Sequence, residues 1–371
     1  MRALGIILAG GKNDRLKELT YDRALAAMPV AGSYRAVDFA LSNMTNSGIS
    51  KVAVITQYNS RSLIEHLSSS KWWDFGRKHG GLFVFTPYIT HDNSLWYRGT
   101  ADAIYQNLSY LKNSHEPYCI IAQGDAISKI DFNKVLEYHI SKRADMTIVC
   151  KYITDENLER FGHVSIDENN RITEFEEKPI EPTGNLISTG IYVIRRRLLI
   201  ELIEASAKEQ RHDFVNDIII RYRKKKNVVA YIHEGYWRSI ASLSSYYKAN
   251  MEFLQKDLRD NFFKESPSIL SKVEDEPPAK FNQGTKVSNS LCSSGCIING
   301  TLENSLLFRK VFIGKNTIIR NSIILDGTYI GDNCVIENCI VDSQSTISDG
   351  SIYREEGDEP RIVVNKEQIF F

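Results

Sequence analysis

Short, unbroken apolar runs alternate with amphipathic segments over the first two thirds of the chain. The apolar runs are β-rich and lack a polar face, which is typical of strands buried on both sides of a sheet. We predict strands over Ala3–Ala9, Lys51–Gln57, Tyr118–Gln123 and Met146–Lys151, and helices over Ala36–Ser47, Ser60–Ser68, Thr100–Lys112 and Asn133–Lys142. This alternation indicates the α/β class, with a mostly parallel sheet covered on both faces and ligands at the carboxyl ends of the strands.

Two further stretches mark the organisation of the chain. Residues 163–175 are predicted to form a hairpin around Asn169-Asn170. Residues 257–286 are charged, contain three prolines and lack sustained periodicity. We therefore predict a first domain over 1–256, a linker over 257–286 and a second domain over 287–371.

The second domain has a different hydrophobic period. Apolar residues recur every six positions at Leu306, Phe312, Ile318, Ile324, Ile330 and Ile336, with Gly and Asn between them. A six-residue period fits neither a helix nor an alternating strand, and it is typical of a hexapeptide β-helix. A sandwich of short strands is the competing interpretation. Residues 287–353 provide three or four coils, and Asp342 interrupts the pattern, so we expect oligomer contacts to cover the exposed faces.

Composition excludes several classes of function. The 46 basic residues balance the 46 acidic ones, which argues against a large nucleic-acid footprint or an anionic membrane surface. The basic run Lys224–Lys226 follows apolar residues and is interpreted as a solvated helix end. At 371 residues, two domains are expected.

The chain shows no targeting or membrane signal. Few residues precede the first predicted strand, and no apolar run approaches the roughly 20 residues that span a bilayer. We therefore expect a cytoplasmic protein without membrane contact. The six cysteines form no CxxC and have no nearby paired His, so buried thiols are favoured over disulfides or metal ligands.

Residues 8–28 have the outline of a nucleotide-binding loop. Gly10-Gly11 follows the first predicted strand, and Arg15 lies five residues beyond Gly10. A loop that holds a triphosphate uses bare backbone N–H groups and positive charge. Here the turn continues through Asn13 and the negatively charged Asp14, and no lysine occurs between Lys17 and Pro29. The sequence thus indicates a phosphate site that has lost part of its chemistry.

Several motifs occur together in a fixed order. They are Leu8-Ala-Gly-Gly11 with Arg15, Tyr34–Asn43, Asn46–Ile49, Trp96–Ala103, Gly124-Asp125, Glu176–Pro179, Ser188–Tyr192, Tyr236-Trp-Arg238 and Pro277–Phe281. With the hexapeptide tail, this set resembles the glucose-1-phosphate adenylyltransferase (ADP-glucose pyrophosphorylase) family over nearly the whole chain. The resemblance implies a Rossmann-like nucleotidyltransferase domain followed by a short left-handed hexapeptide β-helix. It also implies transfer of an adenylyl group from ATP to glucose-1-phosphate, with release of pyrophosphate.

The resemblance assigns roles to individual residues. It implies that Gly10, Gly11 and Arg15 cradle the nucleotide phosphates and that Asp125 holds Mg²⁺. It places Glu177, Lys178 and Ser188 against glucose-1-phosphate, with Tyr97, Gly99 and Asp102 along the same cleft. Arg15, Asp125 and Lys178 are the candidate catalytic groups. Without the family, the ordinary interpretations are favoured, with Lys178 as an exposed strand-end cation and Asp125 as a turn aspartate.

The departures from the family concentrate on the ATP side. The family's GGxGTR loop reads Gly10-Gly-Lys-Asn-Asp-Arg15, although Asn13 tolerates positive φ and Asp14 can cap a helix. In place of RAKPAV the chain reads Arg23-Ala-Leu-Ala-Ala-Met28, so Leu25 replaces the catalytic lysine. In place of YWRDVGT it reads Tyr236–Ser242, and Ser239 stands where a second metal-binding Asp is expected. A hydroxyl is a poor Mg²⁺ ligand beside carboxylates, so we expect Mg²⁺ to bind weakly, through Asp125.

These losses favour a regulatory, catalytically impaired subunit, closest to the regulatory GlgD type of the family. If each missing group contributes about 3–4 kcal/mol, turnover falls by roughly 10⁴–10⁶, with the lower figure safer because such groups are not additive. The expected partner is a catalytic ADP-glucose pyrophosphorylase subunit in a heterotetramer, with a sugar phosphate as a further candidate ligand. Two alternatives stay open. One is an active adenylyltransferase that has rebuilt its site, for instance with Lys12, Lys17 or Asp22. The other, a β-helix acyltransferase, is disfavoured because residues 287–371 contain no His.

Overall fold

The computed structural model describes residues 2–76, 80–88, 96–154, 158–182 and 184–366. The chain divides into two compact units. The first contains the chain up to Lys12 together with Phe39–Trp237, and the second contains Asn13–Asp38 together with the chain from Arg238 onward. A segment near the amino terminus therefore belongs to the carboxy-terminal unit. The predicted boundaries at residues 256 and 286 stay predictions.

The strands before residue 256 are short. They are β1 (Ala3–Leu8), β2 (Pro29–Val30), β3 (Tyr34–Arg35), β4 (Lys51–Ile55), β5 (Gly81–Phe85), β6 (Tyr118–Gln123), β7 (Ala126–Ser128), β8 (Met146–Tyr152), β9 (Gly162–Ile166), β10 (Ile172–Glu177), β11 (Leu186–Arg195), β12 (Val228–Ile232) and β13 (Trp237–Ser239). Nine of them form the main sheet of the first unit, in the order β10-β9-β11-β6-β1-β4-β5, with β8 paired to both β11 and β12.

The main sheet is parallel at its centre. Strands β6, β1, β4 and β5 all run in one direction, and β12 is parallel to β8. Strand β11 runs against both β6 and β8, and β9 and β10 form the predicted hairpin. The prediction of a mostly parallel α/β sheet is confirmed.

The helices are α1 (Ala36–Asn46), α2 (Ser60–His66), α3 (Thr100–Gln106), α4 (Leu108–Lys112), α5 (Phe132–Ser141), α6 (Arg196–Lys208), α7 (Leu243–Glu252) and α8 (Lys256–Phe263). Shorter helical turns cover Lys17–Thr20, Leu25–Ala27, Ser70–Trp73 and Leu158–Arg160, and a π-helix covers Val215–Ile220. None of the helices in the described ranges combines the length and hydropathy of a bilayer-spanning segment.

Strand β1 is buried on both sides, because other elements pack against both faces of the main sheet. On one side Leu4, Ile6 and Leu8 join a core that includes apolar residues of α3 and α6. On the other side Gly5 leaves room for α1, since a Cβ there would come within 2.9 Å of the Met44 sulfur. Removal of this apolar surface from water is the main force that holds the layers together.

The predicted helix over Thr100–Lys112 is divided in two. The break falls at Asn107, whose side-chain amide donates to the Ala103 carbonyl and to the Tyr97 hydroxyl, at 2.9 and 3.0 Å. Asn competes with the helical backbone for hydrogen bonds, and this buried partner on Tyr97 fixes the break. The hydrophobic periodicity continues across Asn107, so the sequence pattern did not reveal the break between α3 and α4.

The strands after residue 256 build the predicted β-helix. They are β14 (Lys280–Phe281), β15 (Lys286–Ser288), β16 (Leu291–Cys292), β17 (Ile297–Ile298), β18 (Thr301–Glu303), β19 (Leu306–Leu307), β20 (Phe312–Ile313), β21 (Ile318–Arg320), β22 (Ile323–Ile324), β23 (Tyr329–Ile330), β24 (Val335–Glu337), β25 (Cys339–Val341), β26 (Thr346–Ile347), β27 (Ile352–Arg354) and β28 (Arg361–Val363). Within the described residues they form three parallel five-stranded sheets, which is consistent with a left-handed β-helix.

The β-helix is longer than the predicted three or four coils. Strand β14 and the start of β15 lie among residues 257–286, and β28 lies beyond residue 353. Paired residues in successive coils are mostly 17 positions apart, as in Ile318, Val335 and Ile352. Three repeats of a strict six-residue period would make a coil of 18 residues, one more than the observed 17. The predicted series of apolar positions therefore does not stay on the inner face from one coil to the next. Phe312 and Ile318 accordingly face outward, while Ile313 and Ile319 fill the core.

One sheet of the β-helix is covered by the rest of the second unit. This sheet, β16-β19-β22-β25-β28, buries Leu306, Ile323 and Ile340 completely on its outer side. The Tyr247 hydroxyl on α7 donates to the Asn321 carbonyl at 2.7 Å, and the Arg309 guanidinium donates to the Ser33 carbonyl at 3.1 Å. Segment 13–38 and α7 therefore lie against this sheet.

A buried ion pair fixes segment 13–38. The Arg23 guanidinium lies 2.8 Å from the Asp342 carboxylate, with side-chain exposures of 12% and 1%. The Lys366 ammonium lies 3.5 Å from the same carboxylate and 2.9 Å from Asp22. This explains the interruption of the hexapeptide pattern at Asp342, since the site receives a cation instead of an apolar side chain.

We predict that Asp342→Asn destabilises the protein by about 3 kcal/mol, because the Arg23 charge stays buried without its carboxylate. The measurement is the free energy of unfolding in urea. The matched control is Asp260→Asn, which removes a carboxylate that is 26% exposed and paired with the exposed Lys264, and which should cost less than about 1 kcal/mol. Equal losses for both variants would contradict the structural role of the pair.

Candidate functional site

Two of the predicted turns lie at the same edge of the main sheet. Strands β1 and β6 are parallel neighbours, with Leu8 opposite Gln123, and the Gly124 N–H donates to the Leu8 carbonyl at 3.0 Å. Gly10 and Gly11 follow β1, and Asp125 occupies the turn between β6 and β7, half-buried. The structure thus brings Gly10, Gly11 and Asp125 to the carboxyl edge where ligands of such sheets bind.

Gln57 connects this edge to Tyr97. The side-chain carbonyl of Gln57 accepts a hydrogen bond from the Tyr97 N–H at 2.6 Å. A Cβ on Gly10 would lie 3.4 Å from the backbone nitrogen of Gln57, so the Gly10 backbone runs close to the Gln57 backbone. Burial raises the pKa of the Tyr97 hydroxyl, although the hydrogen bond from Asn107 opposes this, so the phenol is neutral at pH 7. Sequence reasoning missed Gln57, which has no motif of its own.

Asp102 positions its own loop. Its carboxylate accepts hydrogen bonds from the Arg98 N–H at 2.9 Å and from the Gln106 side chain at 2.9 Å, and it pairs with the Arg98 guanidinium at 3.3 Å. The side chain is 3% exposed. Its carboxylate is placed at the start of α3, where negative charge is favourable. A contact of Asp102 with a ligand stays a prediction.

Gly99 is required by a close approach of two backbones. A Cβ there would lie 2.4 Å from the His212 carbonyl oxygen. The same oxygen accepts the Ala101 N–H at 2.8 Å. Gly99 therefore lets the first turn of α3 dock on residue 212.

The predicted sugar-phosphate residues lie on adjoining strands. Glu177 ends β10 opposite Gly162 of β9, and β9 pairs with β11, which carries the buried Ser188. The Lys178 ammonium lies 3.1 Å from the Glu177 carboxylate and is 59% exposed. Lys178 has φ of 49°, an uncommon conformation for a non-glycine residue. The structure thus holds the exposed Lys178 and the Glu177 carboxylate at the end of β10, and the buried Ser188 hydroxyl on β11.

Ser188 lies at a β-bulge. The pairing of β11 with β8 shifts between Ser188 and Ile191, and the Ser188 hydroxyl lies 3.4 Å from the Tyr192 hydroxyl. Burial raises the pKa of Tyr192, so this phenol also stays protonated. Bulges of this kind redirect a side chain out of the regular ladder.

Two buried residues near these strands were not singled out from the sequence. The His163 ring lies 2.9 Å from the Gly184 carbonyl and 2.7 Å from the Leu158 carbonyl, so it bridges the segments on either side of Lys178. The Trp237 indole packs on Phe161 in a cluster with Ala126, and its N–H has no acceptor among the described residues. A buried donor without a partner is a candidate ligand group. The Tyr236-Trp-Arg238 motif was the available signal for Trp237.

In the second unit, Asn13 builds a turn where the family has its third glycine. Its side-chain carbonyl accepts from the Arg15 and Leu16 N–H groups at 2.9 and 3.2 Å, and its amide donates to the Ala241 carbonyl at 2.9 Å. Asn13 therefore ties this loop to residues 239–242. The Arg15 side chain is exposed to solvent.

Leu25 and Ser239, the residues predicted to replace a lysine and an aspartate, are neutral and are part of local structure. Leu25 is half-buried in the turn Leu25–Ala27. The Ser239 hydroxyl accepts from the Ala241 N–H at 3.3 Å, and the Ser239 carbonyl accepts from the Ser245 hydroxyl. Neither side chain supplies a charge to a phosphate or a metal ion.

The described residues contain no group of three or more His, Cys, Asp or Glu side chains that could hold a metal ion. Asp125 supplies one carboxylate at the sheet edge. A single carboxylate suits an Mg²⁺ ion held mainly by substrate phosphates, and it does not form a dedicated cation site. The Mg²⁺ contact of Asp125 stays a prediction.

The fold and the site define a nucleotidyltransferase with a hexapeptide domain. A family model described as nucleotidyl transferase matches residues 4–256. A second, described as GlmU-like, C-terminal hexapeptide, matches residues 277–369.

Relatives with established names identify the family more closely. The chain is 40% identical to a glucose-1-phosphate adenylyltransferase of Bacillus subtilis, over 99% of this chain and 97% of the relative. It is 39% identical to that of Geobacillus stearothermophilus, over 86% and 83%, and 40% identical to that of Thermosipho africanus, over 85% and 77%. The chain belongs to the glucose-1-phosphate adenylyltransferase family, as its sequence motifs predicted.

We predict that Gly99→Ala destabilises the protein by about 1–3 kcal/mol, because the added methyl group forces the start of α3 away from residue 212. The measurement is the free energy of unfolding. The matched control is Gly11→Ala, whose Cβ would meet nothing within 4 Å. If both alanine variants are equally stable, the close approach at Gly99 is not a constraint on the fold.

Proposed function

We propose that this chain is a regulatory, catalytically impaired subunit of ADP-glucose pyrophosphorylase in glycogen biosynthesis. It would act with a catalytic partner subunit that makes ADP-glucose and pyrophosphate from ATP and glucose-1-phosphate. The observation that carries the proposal is the pair of neutral residues, Leu25 and Ser239, at positions where the family motifs hold a lysine and an aspartate.

The chemistry explains why these two positions matter. In-line attack of a sugar phosphate on the α-phosphate of ATP brings two polyanions together, so positioned cations and metal ligands must stabilise the transition state. Loss of one such group commonly costs about 10²–10³ in rate. With Leu25 and Ser239 neutral, Asp125 would hold Mg²⁺ weakly and alone. The regulatory role requires no cofactor.

The sugar-phosphate side retains its predicted groups. Lys178 is exposed next to Glu177, and Ser188 is buried on β11. These features support binding of a sugar phosphate by a chain that turns it over slowly. Such a subunit would stimulate its partner by stabilising the active conformation of a heterotetramer. We place this activity in the cytoplasm, without a nucleic-acid or membrane partner.

A second candidate function is an active glucose-1-phosphate adenylyltransferase with a rebuilt ATP and metal site. The relatives compared above all carry that name, and this observation favours the second candidate. Lys12, Lys17 and Asp22 are the nearby replacements. Asp22 is held by Lys366, which lowers the pKa of the Asp22 carboxyl. This engagement counts against Asp22 as a free metal ligand.

We predict that the purified chain, assayed alone with ATP, glucose-1-phosphate and Mg²⁺, turns over far below about 1 s⁻¹, an ordinary enzyme value. The double variant Leu25→Lys with Ser239→Asp should raise the rate of ADP-glucose formation at least about 100-fold, because it restores a cation and a carboxylate.

The matched control is Ile140→Lys with Ser141→Asp, which adds the same charges to the exposed end of α5. It should leave the rate unchanged. An unmodified chain that reaches about 1 s⁻¹, or a double variant that loses activity, would establish the rebuilt active site instead.

We also predict that this chain stimulates a catalytic family member with intact GGxGTR and RAKPAV motifs encoded beside it. Titration into a fixed amount of that enzyme should raise ADP-glucose formation severalfold and saturate at a fixed ratio of chains. Bovine serum albumin at the same concentration is the control for non-specific stabilisation. A rate that stays flat throughout the titration rules out the regulatory role.

A further inference from the structure

The His163 ring, on β9, meets a backbone carbonyl group with each of its two nitrogen atoms. Nδ1 lies 2.9 Å from the Gly184 carbonyl oxygen, and Nε2 lies 2.7 Å from the Leu158 carbonyl oxygen. A carbonyl oxygen accepts hydrogen bonds and never donates them. Both contacts are therefore hydrogen bonds only when both ring nitrogens carry a proton, and this is the cationic imidazolium form. We call the ring and the two carbonyl groups the clamp.

Burial makes this pair of contacts informative. His163 is 4% exposed, and burial disfavours the charged form of a histidine. An ordinary buried histidine is neutral, with one N–H that donates and one bare nitrogen that accepts. In the clamp, the bare nitrogen of a neutral ring would point at a carbonyl oxygen, so two acceptors would face each other without a proton. The geometry thus distinguishes His163 from an ordinary buried histidine.

The charged side chains around the clamp are mostly acidic. Glu176 of β10 lies opposite His163 on one side of β9, and Ile187 of β11 lies opposite it on the other side. The other charged residues described on β10 and near Leu158 and Gly184 are Glu159, Arg160, Glu174, Glu177, Lys178 and Glu181. Carboxylates outnumber cations in this set, so the surroundings are compatible with an imidazolium.

One arm of the clamp leads directly to Lys178. The Leu158 carbonyl, which contacts the ring, also accepts from the Phe161 N–H at 3.2 Å. The Phe161 carbonyl in turn accepts from the Lys178 N–H at 3.1 Å. Lys178 has φ of 49°, and a non-glycine residue keeps such a conformation only where its surroundings impose it. Fixing residues 158–161 therefore fixes the backbone of Lys178.

The other arm leads to Ser188. Gly184 precedes Asn185, whose carbonyl accepts from the Ile153 N–H at 3.0 Å. Strand β11 begins at the next residue, Leu186, and carries Ser188. A clamp on Gly184 thus fixes the entry to β11. From one position, the ring holds both segments that carry the predicted sugar-phosphate residues.

We propose that His163 is a positioning residue of the sugar-phosphate site and acts as a doubly protonated clamp between the Leu158 and Gly184 carbonyl groups. Loss of one ring proton opens one arm, because the neutral ring donates only once. Histidine ordinarily changes charge between about pH 5 and 8. Affinity for a sugar phosphate should therefore fall as the pH rises and His163 is deprotonated. The inference rests on the proposed function in one respect, namely that Lys178 and Ser188 bind a sugar phosphate.

The first test is nuclear magnetic resonance of the ligand-free, full-length chain labelled with ¹⁵N-histidine. The chain contains eight histidines, and the ring signals that disappear in His163→Gln identify those of His163. We expect both of its ring nitrogens to carry a proton at about pH 6 and one of them to lose it by about pH 8.5. The protection of the Lys178 amide against hydrogen exchange, corrected for the intrinsic rate, should fall at least about threefold over the same interval.

The second test is binding of glucose-1-phosphate, measured by isothermal titration calorimetry. His163→Val removes both arms with a side chain that suits a buried strand. Its Kd should exceed that of the unmodified chain by about tenfold at about pH 6 and by less than about threefold at about pH 8.5. Taking the ratio of the two chains at each pH cancels the ionisation of the phosphate itself.

Two further variants serve as controls for the binding test. His139→Val removes another buried histidine, whose ring contacts Thr147 and Tyr118, and should change the Kd less than about twofold at either pH. His163→Gln keeps an N–H donor in a side chain that does not titrate, so the ratio of its Kd to that of His163→Val should be the same at both pH values.

Three results would each overturn the clamp: a His163 ring with a single proton at about pH 6, a Kd ratio between His163→Val and the unmodified chain that does not change with pH, or equal losses for His163→Val and His139→Val. An unmodified chain that binds no glucose-1-phosphate would instead remove the sugar-phosphate site from the proposed function, and the positioning role with it. The two failures are distinguishable, because the ring protons and the Lys178 amide are measured without a ligand.

Discussion

The Arg23–Asp342 ion pair determines to which unit the amino-terminal segment belongs. With both side chains almost removed from solvent, the pair attaches residues 13–38 to the β-helix, several hundred residues away in sequence. The Tyr246 hydroxyl, which donates to the Pro29 carbonyl at 2.8 Å, and the stacked rings of Tyr34 and Phe263 hold the same segment. Arg15, Leu25 and Ser239 therefore belong to the same compact unit as the β-helix.

Family membership and catalytic competence rest on different evidence. Membership follows from most of the chain, because family models match residues 4–256 and 277–369 and a named relative is 40% identical over 99% of the chain. Competence depends on a few charges, and the proposed loss of function rests on the neutral side chains of Leu25 and Ser239, which are both part of local structure. Asn13 is part of local structure in the same way, since its side chain satisfies two N–H groups of a turn that glycine would leave open. A fold can thus be retained while the electrostatics of one half of a site change.

The pattern of hydrophobic residues predicted the elements well where burial alone decides them. Strand β6 has the predicted bounds, and the hairpin around Asn170 forms with that residue at φ of 63°. Prediction failed where polar side chains find distant partners. Asn107 divides a helix because its side chain donates to the hydroxyl of Tyr97, ten residues earlier in the chain. Gln57 and Trp237 gained significance only from the residues that fold around them.

The sequence by itself determined the α/β sheet, the coiled second domain and the family, because hydrophobic period and motif order are properties of the linear chain. Only the tertiary structure decided the length of each coil, the place of segment 13–38 and the reason for Asp342. Coil length depends on the number of residues in each side of the coil, and successive strands start at Ile318, Ile323, Tyr329 and Val335. These steps are unequal, so a regular period cannot express them. Asp342 looked like an interruption until Arg23 was placed against it, since a buried charge is interpretable only with its partner.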